Sequence, residues 1–168
     1  ANGQGTQVLF EQLTEGDEIG LDGPYGTAYL RTDSPRDMVC VAGGSGLAPM
    51  ISISRGAVEA GLLVGKKLYF FYGARTPRDV CGEEMLRVLA GFGEQIVYVP
   101  VVSVPGDKGE WGGATGFVHD AVVRTLPREL VNYEFYFAGP PPMTQAFQEL
   151  LMLSHQVPFE QIHFDRFF

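Results

Sequence analysis

Twelve consecutive residues constrain this chain more than any others: Met38-Val39-Cys40-Val41-Ala42-Gly43-Gly44-Ser45-Gly46-Leu47-Ala48-Pro49. They begin as a short apolar run with alternating bulk, as a buried strand would. Three glycines then fall within four residues, at Gly43, Gly44 and Gly46. A helix-like segment follows, with Pro49 in its first turn, where a missing N–H costs nothing. Strand, glycine turn and helix start together make an anion site, because bare backbone approaches closely and free N–H groups point outward. The spacing G-x-G-x-x-P, from Gly44 through Gly46 to Pro49, departs from the dinucleotide fingerprint, whose third position is Gly or Ala. On its own the loop is equally a tight turn, so the rest of the chain must decide.

Bulk properties remove several classes. The 168 residues suffice for one well-buried domain, or one domain and part of another. A net charge of −8 argues against a nucleic-acid partner, which would call for a basic stripe. No apolar stretch reaches the roughly 18–20 residues of a membrane span. The opening Ala1-Asn2-Gly3-Gln4-Gly5 has no charged segment ahead of an apolar core, so no signal peptide is expected and the cytoplasm is the expected location. Cys40 and Cys81 are too few to hold a two-iron cluster, and Cys40, inside the first strand, is expected in the core. His119, His155 and His163 share no metal-ligand spacing; they read as surface or helix histidines, and no metal site is expected. No G-x-S-x-G elbow and no G-x-x-x-x-G-K-S/T loop is present, which sets hydrolases and NTPases aside.

In chain order, residues 7–13 suggest a short helix capped by Thr6, followed by a turn over Thr14–Asp17. Residues 18–22 alternate like a strand ending at Gly23-Pro24-Tyr25-Gly26, and Thr27–Arg31 suggests a second. Residues 32–37 read as a linker. Strands are then expected at 38–42, 67–72, 95–102, 134–138 and 161–167. Helices are expected from about Pro49 to Ala60, over 83–90, from Thr115 or Gly116, and after Gly139-Pro140-Pro141-Pro142. In the third helix, Phe117, Ala121, Val122 and Leu126 are spaced for one buried face.

Five apolar strands separated by helices predict an α/β fold, a doubly wound parallel sheet of order 3-2-1-4-5. Ligands bind such sheets beyond the strand C-termini, where the strand order switches. The loops at 43–49 and 139–142 follow strands one and four, neighbours across that switch. Two unusual loops converge on one crevice.

With both loops placed, the chain resembles the ferredoxin–NADP reductase superfamily, and within it the NADH-dependent flavoprotein reductase components of bacterial toluene, phenol and alkene monooxygenases. Residues 16–26 look like the closing strand of that family's flavin barrel, and 43–49 like its pyridine-nucleotide loop. Phe71-Tyr72-Gly73-Ala74-Arg75 with Asp79 looks like its specificity region. Gly139-Pro140-Pro141-Pro142-Met143 looks like its Cys-Gly-Pro-Pro-x-Met motif, with Ala138 in place of the cysteine, and Phe164–Phe168 like its aromatic C-terminus. The resemblance implies residues 1–34 as the C-terminal remnant of an FAD-binding barrel and 35–168 as an NAD(P)-binding domain. The family's Arg-x-Tyr-Ser/Thr flavin strand would lie upstream, so the chain reads as a C-terminal fragment.

The resemblance also implies roles. Amides around Gly43, Gly44, Ser45 and Gly46, with Pro49 behind them, would meet the pyrophosphate of NADH. Ser45 would bring its hydroxyl near the nicotinamide, or serve as a helix cap. Asp79 would accept from ribose hydroxyls and repel a 2′-phosphate, whereas Arg75, with Arg78, would welcome one. Gly139, Pro140, Pro141 and Met143 would wall the nicotinamide, Thr6 would face the FAD pyrophosphate, and Phe168 would stack on the flavin. The implied activity is hydride transfer from NADH to FAD, then single electrons to an iron–sulfur centre. A 2Fe-2S centre would belong to a missing upstream ferredoxin-like domain or a separate ferredoxin, with oxygenase components as final partners. An NADPH-preferring flavin reductase and a non-catalytic dinucleotide-binding module are the alternatives.

Overall fold

The computed structural model describes residues 4–23, 25–107 and 111–166. Its centre is an all-parallel sheet of six strands: β1 (Asp37–Gly43), β2 (Leu68–Ala74), β3 (Ile96–Val102), β4 (Ala114–Thr115), β5 (Tyr133–Gly139) and β6 (Ile162–Arg166), in the order β4-β3-β2-β1-β5-β6. The helices are α1 (Gln4–Gln7), α2 (Leu47–Glu59), α3 (Glu83–Arg87), α4 (Val118–Thr125) and α5 (Pro141–Glu149).

The central strands are apolar at every position because both sheet faces are covered. Period-two alternation sorts their side chains. Met38, Cys40, Leu68, Phe70 and Tyr136 point to the face carrying Met50, Ile53 and Ala57 of α2 and Leu86 of α3. Val39, Val41, Phe71, Phe135 and Phe137 point to the other, against Ala121 and Val122 of α4 and Phe147 of α5. Phe137 and Phe147 meet edge to face at 4.9 Å, a favoured aromatic geometry.

The order of the five longer strands matches the sequence expectation, and β4 adds a sixth at one edge. It pairs Ala114 and Thr115 with Val101 and Val102. Over the rest of its length β3 is bonded only to β2. This leaves Pro100, which has no N–H, on a strand with one side open, where proline is tolerated.

Other expectations are corrected. Residues 18–22 and 27–31 form no strand: Ile19 and Leu21 are exposed, and the described residues give them no neighbour to pair with. The turn at Thr14–Asp17 is present, with the Thr14 amide and hydroxyl donating to Asp17 Oδ2 at 2.8 and 2.9 Å. The N-terminal helical segment starts earlier than expected, as α1 followed by a π-helical turn (Val8–Gln12), so Thr6 lies inside it rather than capping it. Helix α3 stops at Arg87, ahead of a bend in which Gly91 and Gly93 both take positive φ. Helix α4 starts at Val118, and Phe117 precedes it on extended backbone, 63% exposed rather than buried. His163 is buried on β6, not at the surface. Cys40 is fully buried, as expected of a core cysteine.

Candidate functional site

The site begins where β1 runs out. Gly44 takes a left-handed φ of +55° and starts a single 3-10 turn (Gly44–Gly46) that leads straight into α2. A Cβ added at Gly46 would overlap the Ala138 carbonyl oxygen, so only glycine lets this turn lie against β5. No side chain caps the start of α2. Its first amides are therefore open to an anion, with the helix dipole behind them. Pro49 sits in that first turn, and Ser45 is exposed at the tip of the loop.

The second loop leaves β5 at Gly139. Pro140 precedes α5 and Pro141 is its first residue, where proline's fixed φ suits a helix start. The Thr144 hydroxyl donates to the Pro141 carbonyl at 3.1 Å and stiffens this turn. Met143 turns back over both loops: a Cβ on Gly43 would lie 2.7 Å from its Sδ, and one on Gly139 2.6 Å from its Cε.

A cleft of about 950 Å³ opens at the C-terminal ends of the strands. Gly43, Gly44, Pro140, Pro142 and Met143 line one side. Tyr72, Arg75 and Asp79, from the end of β2 and the turn after it, line the next. Ser103, Val104 and Phe117, from the loops around β3 and β4, complete the wall. The Phe117 ring stacks on His119 at 5.5 Å with an interplanar angle of 7°.

Asp79 also has a local task. Its Oδ2 accepts from the Thr76 hydroxyl at 2.8 Å and the Thr76 amide at 2.9 Å, a capping box around the turn Pro77–Asp79. Those hydrogen bonds hold its carboxyl below the usual range, and the Arg75 guanidinium adds to the effect. Tyr72 is buried, and burial pushes its phenol up to about 12, so the wall it forms is neutral.

Of the residues singled out in the sequence, Gly43, Gly44, Arg75, Asp79, Pro140 and Met143 border this one cleft. Gly46, Pro49, Gly139 and Pro141 shape the loops behind it, and Ser45 stands at the loop tip outside the lining. Thr6 is exposed in α1 and is not among the lining residues. Phe168 lies outside the described residues. Sequence reading missed Phe117, Tyr72, Ser103 and Val104 as cleft walls. Gly116, with φ +98° just before Phe117, was the available signal that the chain turns there rather than entering a helix. Among the described residues no group of three or more His, Cys, Asp or Glu side chains is placed to hold a metal ion, and no helix is long and apolar enough to cross a membrane.

Sheet order, covered faces and a crevice between β1 and β5 define a doubly wound dinucleotide-type α/β domain. Residues 40–149 match the family model described as the oxidoreductase NAD-binding domain. The chain belongs to that family, as a member of the ferredoxin reductases. It is 37% identical to the ferredoxin–NAD(P)(+) reductase CarAd of Metapseudomonas resinovorans, over 95% of this chain and 46% of the relative. It is 38% identical to the ferredoxin–NAD(+) reductase component of the alkene monooxygenase system of Xanthobacter autotrophicus, over 98% of this chain and 49% of the relative. The solved ferredoxin reductase of a carbazole 1,9a-dioxygenase superposes with a TM-score of 0.77 at 35% identity, over 99% of this chain and 48% of that one. The chain spans about half the length of the curated relatives it matches.

Proposed function

We propose that this chain is the nucleotide-binding half of an electron-transfer reductase. It would hold NADH so that a hydride passes to FAD, and electrons then leave singly for an iron–sulfur centre that feeds an oxygenase. The observation that carries this reading is the meeting of the two glycine loops, with Gly46 pressed on the Ala138 carbonyl and Met143 lying over Gly43 and Gly139. Bare backbone of this kind admits a pyrophosphate, and the uncapped start of α2 supplies donors and dipole for it. Each residue's work is then to bind and orient. The amides after Gly44 anchor the phosphates, Asp79 takes the ribose, Phe117 covers the apolar far end, and Pro140 and Met143 hold the nicotinamide face and exclude water.

A flavin, when bound, supplies the conversion of a two-electron hydride into single electrons. Among the described residues no second cradle of bare backbone fits one; in this reading FAD belongs to an upstream barrel, and Thr6 and residues 1–34 border it. A 2Fe-2S centre belongs to a ferredoxin-like domain or a separate ferredoxin, with oxygenase components as partners. The unpaired Cys40 and Cys81 suit a reducing cytoplasm.

Arg75 supports a second reading. It lines the cleft beside Asp79, where a guanidinium accommodates a 2′-phosphate. Calorimetric titration with NAD⁺ and NADP⁺ tests both. Tighter NAD⁺ binding is expected; tighter NADP⁺ binding transfers the specificity to Arg75, and binding of neither overturns the reading of the cleft.

A further inference from the structure

The segment from Gly26 to Arg36 is fastened to the sheet at two distant places. At the cleft end, the Thr27 amide donates to Asp165 Oδ1 at 3.1 Å and the Thr27 hydroxyl donates to the Phe164 carbonyl at 3.1 Å. Gly26 has φ +97°, and a Cβ there would overlap the Asp165 carboxylate, so the turn sits closer to it than any other residue would permit. At the opposite edge, the Arg31 amide donates to the Tyr136 hydroxyl at 3.0 Å. Ser34 Oγ and Arg36 Nη1 donate to Glu134 Oε2 at 2.8 and 3.2 Å. Between these anchors Leu30 rests on Gly56 of α2, where a Cβ would lie 3.2 Å from Leu30 Cδ2.

The upper anchor has a telling position. Asp165 is the register partner of Ala138, whose carbonyl is the atom that Gly46 abuts. Neighbouring strands are about 4.8 Å apart, so the turn is held one strand away from the landing point of the glycine loop. The side chain the turn displays is Tyr25, 77% exposed, with its hydroxyl donating to Asp22 at 2.5 Å.

We propose that Asp165 is a positioning residue that fixes the Tyr25-Gly26-Thr27 turn at the β5–β6 end of the cleft, so that a redox ring standing against that turn keeps a set distance from the nucleotide. The proposal rests on the reading of the cleft as a dinucleotide site. Asp165 acts on the turn, not on the nucleotide and not on the sheet.

Residue-resolved amide exchange on the whole chain tests this, with Asp165→Ala, Asp165→Asn and Gly26→Ala, alongside calorimetry with NAD⁺. In Asp165→Ala the Thr27 amide exchanges about tenfold faster, the value of one charge-assisted hydrogen bond, while the amides of Val39 and Phe137 are unchanged. Asp165→Asn keeps an acceptor oxygen and restores most of the protection. Gly26→Ala opens the turn although the carboxylate is still present, and NAD⁺ affinity stays within about twofold in all three. Unchanged Thr27 exchange in Asp165→Ala overturns the proposal. So does equal acceleration throughout the sheet, which makes Asp165 a general stabiliser, or a tenfold loss of NAD⁺ affinity, which places it in the nucleotide site. If the unaltered chain binds no NAD⁺, the nucleotide reading fails while the exchange data still report on the clamp.

Discussion

Met143 Sδ lies 2.7 Å from where a side chain on Gly43 would begin, so the first glycine loop and the proline loop are closed against each other through one thioether. The obstacle is the end of a flexible side chain, which can move. Gly43→Ala is therefore expected to leave stability within about 1 kcal/mol of the parent and to weaken NAD⁺ by displacing Met143. Urea midpoints and calorimetry, taken together, separate the two effects.

Gly46→Ala should behave differently. Its new Cβ meets the Ala138 carbonyl, which is backbone inside β5 and cannot swing away. The expected cost is about 1–3 kcal/mol of stability together with at least tenfold weaker NAD⁺ binding. An unchanged urea midpoint would show that the loop does not press on β5.

At Asp79 the specificity role and the capping role can be pulled apart. Asp79→Asn retains an oxygen for the Thr76 hydroxyl and amide but loses the charge. The ratio of NAD⁺ to NADP⁺ affinity should fall severalfold in this variant while the melting temperature barely moves. A constant ratio would leave Asp79 as a turn former only.

Phe117→Ala removes a ring that is 63% exposed, so little folding energy is at stake. Dinucleotide affinity should drop about tenfold, with stability unchanged within about 0.5 kcal/mol. Equal affinity in the variant would remove Phe117 from the cleft's working wall.

Glu134 predicts the behaviour in acid. Burial, the largest single influence, would raise its pKa. The hydrogen bonds from His163 and Ser34, with the charges of His163 and Arg36, outweigh it and bring the carboxyl below its ordinary value. Because the folded pKa is depressed, this stabilisation is present above the unfolded value of about 4.3 and is lost as pH falls through the folded one. Glu134→Gln should be less stable at neutral pH by about 3 kcal/mol, and its stability should fall less steeply below about pH 4. Urea unfolding across pH 3–7 checks both.

The sequence announced those parts of this fold whose signal is local. β1, β2 and β5 are unbroken apolar runs, and the loops that end β1 and β5 carry glycines and prolines that packing later explains. β4 is two residues long and has no period to read. Phe117 stands four residues from Ala121, which suggested a shared inward face, but it sits before the helix on extended backbone, where the helical period does not apply. His163 looked like a surface residue because its partner, Glu134, is 29 residues away, and only the pairing of β5 with β6 brings Oε1 to 2.7 Å from Nε2. Residues 18–22 do alternate, yet alternation without a neighbouring strand makes no ladder.

The outer margin of the sheet has one further consequence. A parallel sheet with an open, hydrogen-bond-hungry border invites a strand from another molecule. Here β3 presents Pro100, which has no hydrogen to offer, and only two residues of β4 extend beyond it. On the far side, the Thr27 hydroxyl already occupies the Phe164 carbonyl of β6. Both borders are thus blunted against strand-by-strand growth, and a concentrated solution of this chain should resist forming fibrils seeded at its sheet.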